Sequence, residues 1–386
     1  MTYNFNAVTD RRRTGSEKWN VLDSELPMWV ADMDFPTAPC VRRAVEKRAV
    51  HGIFGYSSLP ETWYDAYRNW WGTHHGLEIR REELLFVTGV IPAISAAVRV
   101  FTVPGEKVII QTPVYNHFFN CIQGNGRTVL ENPLTYRDGR YAMDFEDLEE
   151  KLSDPLASLL ILCNPHNPVG RAWAAGELER LGEICLRNGV VVVSDEIHMD
   201  FARPGHAHTS FATLSDELVN NSVICTSASK TFNLAGLQVA NIVIGDRQKR
   251  SAFRNAVSAS GYSQGNTLGL VATQAAYEHG GPWLDELKDY LEGNWELLAS
   301  TLKDRAPQLR LIEAESTYLA WIDCRALGLE GAALERFVED EAGLWLDCGH
   351  IFGKDGDGFI RINIATQRAY LERALDQLCA AIVARR

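Results

Sequence analysis

The stretch Val190-Val191-Val192-Val193-Ser194-Asp195-Glu196-Ile197-His198 decides the fold. Its run of β-branched residues favours an extended chain, and the lack of apolar–polar alternation describes a strand covered on both faces. Similar near-continuous apolar runs occur at Leu84-Leu85-Phe86-Val87-Thr88, Val108-Ile109-Ile110, Leu159-Leu160-Ile161-Leu162, Val223-Ile224-Cys225 and Asn241-Ile242-Val243-Ile244. Between them, residues 91–103, 174–188 (stopped by Gly189) and 246–258 have helical character. Alternation of this kind predicts an α/β protein built on a parallel or mixed sheet.

The pattern changes after Gly280-Gly281-Pro282. A long helix is predicted over 283–302, strands at 310–312, 318–322 and 359–364, and a closing helix over 367–384, which together describe an α+β unit. The chain has 386 residues, more than the ~250–300 at which one hydrophobic core stops growing, so two packed units are expected. Residues 51–281 form the large one and 282–386 the small one. Residues 1–50 lack the sheet pattern and are expected to return onto the small unit. There is no internal repeat.

Apolar residues at 46% and charged residues at 23% describe an ordinary globular chain. The formal net charge of −12 disfavours non-specific contact with nucleic acid or anionic membrane. No run approaches the ~18 apolar residues that span a bilayer, and the start Met1-Thr2-Tyr3-Asn4-Phe5-Asn6 has no signal-peptide pattern. The eight cysteines are scattered without a C-x-x-C pair and read as reduced thiols, so a cytoplasmic location is expected.

Four segments carry chemistry. Lys230, in Ser227-Ala228-Ser229-Lys230-Thr231-Phe232, follows a strand and sits at the sheet edge where α/β proteins place ligands. It is either a solvated lysine or, flanked by serines, an amine able to form a Schiff base with a phosphorylated carbonyl cofactor, with Ser227 as a phosphate ligand. Asp195 is delivered to the same edge, either as a helix N-cap or as the partner of a cationic ring nitrogen. Asn164-Pro165-His166-Asn167-Pro168-Val169-Gly170 has two X-Pro bonds, which impose a rigid loop: a plain turn, or a mount that presents the Asn167 amide. Thr88-Gly89-Val90-Ile91-Pro92 is a strand-to-helix turn whose backbone N–H groups suit an anion.

These four segments, in this order, resemble the fold-type I enzymes that use pyridoxal 5′-phosphate (PLP), the aspartate aminotransferase superfamily. The resemblance spans essentially the whole chain. Met28-Trp29-Val30-Ala31-Asp32-Met33-Asp34-Phe35, Gly55-Tyr56 and Ser229-Lys230-Thr231-Phe232-Asn233-Leu234-Ala235-Gly236-Leu237-Gln238 look like the MalY/PatB subgroup of cystathionine β-lyases, also called carbon–sulfur β-lyases. The resemblance implies a large domain with a mostly parallel seven-stranded sheet and a smaller α+β domain. It implies Lys230 as the Schiff-base lysine, Asp195 at the ring nitrogen, and Asn167 at the ring oxygen with His198 beside it where relatives often carry Tyr. Tyr115 would stack on the ring, while Gly89, Val90, Ile91 and Ser227 would hold the phosphate. Tyr56 would reach the phosphate from a neighbouring subunit, so a homodimer with shared sites is implied. Arg361, in Phe359-Ile360-Arg361-Ile362-Asn363, would grip the substrate α-carboxylate, with Ala31, Tyr115 and Asn167 near it.

Gln238 stands where aspartate-type aminotransferases usually carry an arginine, eight residues after the lysine, and this agrees with the lyase subgroup. The activity implied is elimination from S-substituted cysteines such as cystathionine, giving thiol, pyruvate and ammonia. An aminotransferase of the same fold is the alternative, as is a lyase with an added regulatory role. His206-Ala207-His208 reads as a polar loop rather than a metal site, and Asp355-Gly356-Asp357-Gly358 as a turn. His74-His75 closes an aromatic helix with Trp63, Tyr67, Trp70 and Trp71.

Overall fold

The apolar runs become strands of one seven-stranded sheet in the computed structural model, which describes residues 2–261 and 264–385. Its order is Leu84–Val87, Ala240–Val243, Ser222–Thr226, Val191–Asp195, Ala157–Cys163, Lys107–Ile110 and Thr128–Glu131. Ala240–Val243 runs antiparallel to both of its neighbours, and every other pair is parallel. All five residues of Val191–Asp195 are buried, as the unbroken apolar run predicts. Successive residues belong to opposite faces of the sheet: Val192 joins one core cluster and Val193 the other. The edge strand Thr128–Glu131 escapes the sequence pattern because its residues are only partly buried or exposed and include no long apolar run.

Parallel pairing has a direct consequence for function. The strands ending at Ile110, Cys163, Asp195 and Thr226 all bring their carboxyl ends to one edge, the edge where open α/β sheets bind ligands. In this register Asp195 lies between Cys163 and Cys225.

A second sheet, Arg310–Leu311, Leu319–Asp323, Phe359–Asn363 and Asp347–Cys348, is antiparallel throughout. The long helix Gly281–Arg305 and the closing helix Arg368–Ala384 pack against each other beside it. The lead segment divides rather than packing as one piece. Leu26–Pro27 pairs in parallel with Leu344–Trp345, Asn363 N–H donates to Met28 O at 2.8 Å and Asp34 N–H to Ala365 O at 3.0 Å. Helix Pro39–His51, by contrast, lies against Thr267–His279, with Ala44, Lys47 and Arg48 on one side of their shared groove and Val271, Gln274 and Ala275 on the other. All eight cysteines are free thiols, and all but Cys40 are buried. Among the described residues, no helix is long and apolar enough to cross a membrane.

Candidate active site

At that carboxyl edge lies an open cavity of about 230 Å³. Its walls bring together Ala31, Gly89, Val90, Ile91, Tyr115, Asn167, Asp195, His198 and Lys230, residues drawn from six separate stretches of sequence.

Lys230 sits in the one-turn helix Ala228–Thr231 directly after the strand Ser222–Thr226. Its Nζ donates to Ala31 O at 3.1 Å. Burial lowers its amine to about 8; Arg361 acts in the same direction, while Asp32 and Asp195 oppose it. Lys230 is therefore not a solvated surface lysine.

Asp195 is the last residue of its strand and is 4% exposed. No α-helix starts there, so the N-cap alternative is not realised; the carboxylate accepts instead from Ile197 N–H at 3.2 Å in a local turn. Burial raises its carboxyl to about 7, against the opposing pull of the Ile197 N–H and Lys230. No cation pairs with it within ion-pair distance among the described residues. A carboxylate placed this way is costly to leave charged, and a protonated ring nitrogen is the partner that would relieve it.

The loop after Cys163 contains cis bonds at Asn164-Pro165 and Asn167-Pro168. Asn167 is 4% exposed; its N–H donates to Cys163 Sγ at 3.3 Å and its Oδ1 accepts from Arg361 Nη1 at 2.8 Å. The loop is thus a mount for the amide rather than a plain turn. Arg361 also reaches Trp29 O at 3.1 Å and pairs with Asp347, while its Nε is buried without a partner. It stands behind Asn167 rather than on the cavity wall.

Gly89 precedes the helix Val90–Phe101 with φ 147°, and a Cβ there would stand 3.2 Å from Pro92 Cδ. The first N–H groups of that helix have no intrahelical acceptor and are at the cavity wall. His198 is 3% exposed, its Nδ1 has no partner, and burial, with Lys230 and Arg361, holds it neutral far below its ordinary value. Tyr115 stacks on His117 with centroids 4.9 Å apart, and burial pushes its hydroxyl up to about 12.

The two side chains expected at the phosphate are also placed elsewhere. Ser227 lies behind the wall: its Oγ donates to Val239 O at 2.6 Å and accepts from Ser229 N–H at 3.0 Å, so it serves as the cap of the Lys230 turn. Ser229, two residues on, lines the cavity in its stead. The one-turn helix accounts for the exchange, since it turns position 229 toward the space. Tyr56 is 94% exposed and outside the cavity of its own chain.

Some residues went unseen in the sequence. Asp347 belongs to a two-residue strand, too short for any periodic signal, and faces Arg361 by antiparallel register. Burial raises its carboxyl while Arg361 opposes that. Tyr318 donates its hydroxyl to Ala31 O at 2.9 Å from within an apolar run that reads only as strand. His208 is not on a free loop, since its Nε2 meets the buried Glu196 at 3.1 Å. A cavity with an amine, an unpaired buried carboxylate, a helix N-terminus and buried unpartnered nitrogens fits a phosphorylated aldehyde with a basic ring nitrogen.

Comparison with known proteins agrees. Residues 27–378 match the family described as aminotransferase class I and II. The chain belongs to this family. Cystathionine beta-lyase PatB of Bacillus subtilis (strain 168) is 44% identical over 386 residues, covering 98% of this chain and all of PatB (100%). Protein MalY of Escherichia coli (strain K12) is 34% identical over 388 residues, covering 98% of this chain and 99% of MalY. Among solved structures, cystalysin of Treponema denticola, described as containing a pyridoxal 5′-phosphate cofactor, superposes with a TM-score of 0.97 at 34% identity, covering 100% of both chains. The subgroup resemblance read from residues 28–35 and 229–238 extends over the whole chain, and the fold is that of the fold-type I enzymes.

Proposed function

We propose that this chain is a PLP-dependent carbon–sulfur β-lyase that cleaves S-substituted L-cysteines, cystathionine among them. The observation that carries the reading is the shared cavity of Lys230 and the cation-less carboxylate of Asp195. Bound PLP supplies an electron sink for the pair released when an amino acid loses its α-proton. Lys230 holds the cofactor and its Nζ, with its proton affinity lowered to about 8, takes the α-proton. Asp195 keeps a proton on the ring nitrogen. Asn167 and the neutral His198 flank the ring oxygen, and Tyr115 covers the ring. Gly89, the Val90 and Ile91 N–H groups and Ser229 receive the phosphate, with Ser227 holding the turn that presents Ser229. Arg361, which stands behind Asn167, takes the substrate α-carboxylate by exchanging its Asn167 bond for the carboxylate, with the backbone at Ala31 nearby. With water, the thioether yields thiol, pyruvate and ammonia.

The lyase reading is favoured over an aminotransferase by the identity to PatB and by Gln238 on the cavity wall in place of an arginine. The division into 51–281, which carries the cofactor, and 282–386, which with the lead segment supplies Arg361 and Ala31, belongs to the same proposal. So does a homodimer in which the exposed Tyr56 reaches the partner's phosphate, and so do a cytoplasmic location and a place in sulfur amino-acid metabolism through released homocysteine. The test supplies cystathionine without any keto acid. Sustained pyruvate release that Lys230→Ala abolishes is expected. No pyruvate, with one equivalent per site of the intact substrate's own keto acid and the cofactor left as pyridoxamine phosphate, would replace the lyase by a transferase.

A further inference from the structure

Residues 29–35 run beside the cavity, with Ala31 on its wall, and side chains from two remote parts of the chain grip their carbonyls. Arg361 and Asn363 project from one face of the strand Phe359–Asn363. Arg361 Nη2 donates to Trp29 O at 3.1 Å, and Asn363 Nδ2 donates to Val30 O at 2.6 Å and to Asp32 O at 2.7 Å. From the other side comes Asn233, three residues after Lys230. Its Nδ2 donates to Met33 O and Phe35 O, each at 2.9 Å, and its Oδ1 accepts from Met33 N–H at 3.0 Å. Inside the Asn363 grip, between Val30 and Asp32, Ala31 O accepts from both Lys230 Nζ and Tyr318 OH. Asn363 is fully buried (0% exposed), and Asn233 holds φ 57°, a left-handed conformation that asparagine tolerates better than most residues. Neither amide lines the cavity.

We infer that Asn233 and Asn363 are paired positioning residues that clamp residues 29–35 from opposite ends, so that the Ala31 carbonyl, the Lys230 amine and the Arg361 guanidinium keep one spacing. The clamp joins the turn that carries Lys230 to the strand that carries Arg361 through a single short segment. Each asparagine spends two donors on that segment, Asn363 fully buried and Asn233 half-buried, and an amide with this many partners is costly to remove. For its activity readout alone, the inference rests on the lyase reading.

The experiment compares Asn233→Ala, Asn363→Ala and the double variant as holoenzymes. Each single variant is expected to raise KM for cystathionine roughly 5–100-fold, the loss of two hydrogen bonds, with kcat lowered less than about threefold. The double variant should be no more than about threefold worse in KM than the worse single one, because both grips act on the same segment. Effects that multiply would overturn the inference. Amide hydrogen exchange supplies a readout free of the reaction: exchange within residues 29–35 should accelerate in both single variants, while Val191–Asp195 keeps its protection. Unchanged exchange in 29–35 overturns the clamp whatever the substrate. A parent enzyme inert on cystathionine would instead overturn the lyase reading, with the clamp still decided by exchange. Should an alanine variant not fold, Asn→Ser at the same position, which keeps one donor, should give the same pattern at smaller size; parent-like exchange there would refute the clamp.

Discussion

Replacing Asp195 by Asn should stabilise the cofactor-free protein while weakening its hold on PLP. The folded carboxyl titrates at about 7 against 3.8 in the unfolded chain, so the folded state binds this proton more tightly. Below about pH 4 both states are protonated and the position costs nothing. The cost then grows as pH rises and levels off above about 7. At 1.36 kcal/mol for each tenfold step, it is roughly 2 kcal/mol at pH 5 and roughly 4 kcal/mol at pH 8. An unfolding entropy near 2.1 cal/mol/K per residue gives ~0.8 kcal/mol/K for a chain of this length, so the variant should unfold about 2 °C higher at pH 5 and about 5 °C higher at pH 8. Thermal unfolding of the two cofactor-free proteins, followed by circular dichroism from pH 5 to 8, measures this. Adding PLP should reverse the order, because the parent then gains a cation beside its carboxylate. A variant equal to or less stable than the parent at pH 8 without cofactor would refute the reasoning.

Asp347→Ala leaves Arg361 buried without its carboxylate partner, a loss of about 3–5 kcal/mol that should appear as a fall of roughly 4–6 °C in the unfolding temperature and as a raised KM. Gly89→Ala puts a Cβ 3.2 Å from Pro92 Cδ at a positive φ, and should cost about 1–3 kcal/mol of stability together with affinity for inorganic phosphate, read by calorimetric titration. Mixing equal amounts of Lys230→Ala and Tyr56→Ala chains, each nearly inactive alone, should restore about a quarter of the sites if Tyr56 crosses between subunits. No recovery after subunit exchange would confine Tyr56 to its own chain.

The central strands were legible because burial on both faces leaves an unmistakable apolar run, and the positions of Asp195 and Lys230 just past such runs were legible with them. Thr128–Glu131 was not, since an edge strand needs no such run. Helix Thr267–His279 was hidden because small residues such as Gly269, Ala272 and Ala276 fill its buried positions in place of an amphipathic stripe. Within the site, the choice between Ser227 and Ser229 turns on the geometry of a single helical turn, which spacing along the chain does not encode. Asp347 is a contact created by strand register between residues fourteen apart in sequence, so only the folded sheet reveals it.

The grip on residues 29–35 also bears on how the protein is made. The segment leaves the ribosome early, yet Arg361 and Asn363 follow roughly 330 residues later. At about 5–20 residues per second, that is a delay of roughly 17–70 seconds. Throughout it, Met28, Met33 and Phe35, which end up almost fully buried, have no C-terminal sheet to pack on. The first part of the site to be synthesised is therefore among the last to be finished, and a nascent chain stalled before residue 359 would present an apolar, chaperone-binding N-terminus beside an otherwise complete seven-stranded sheet.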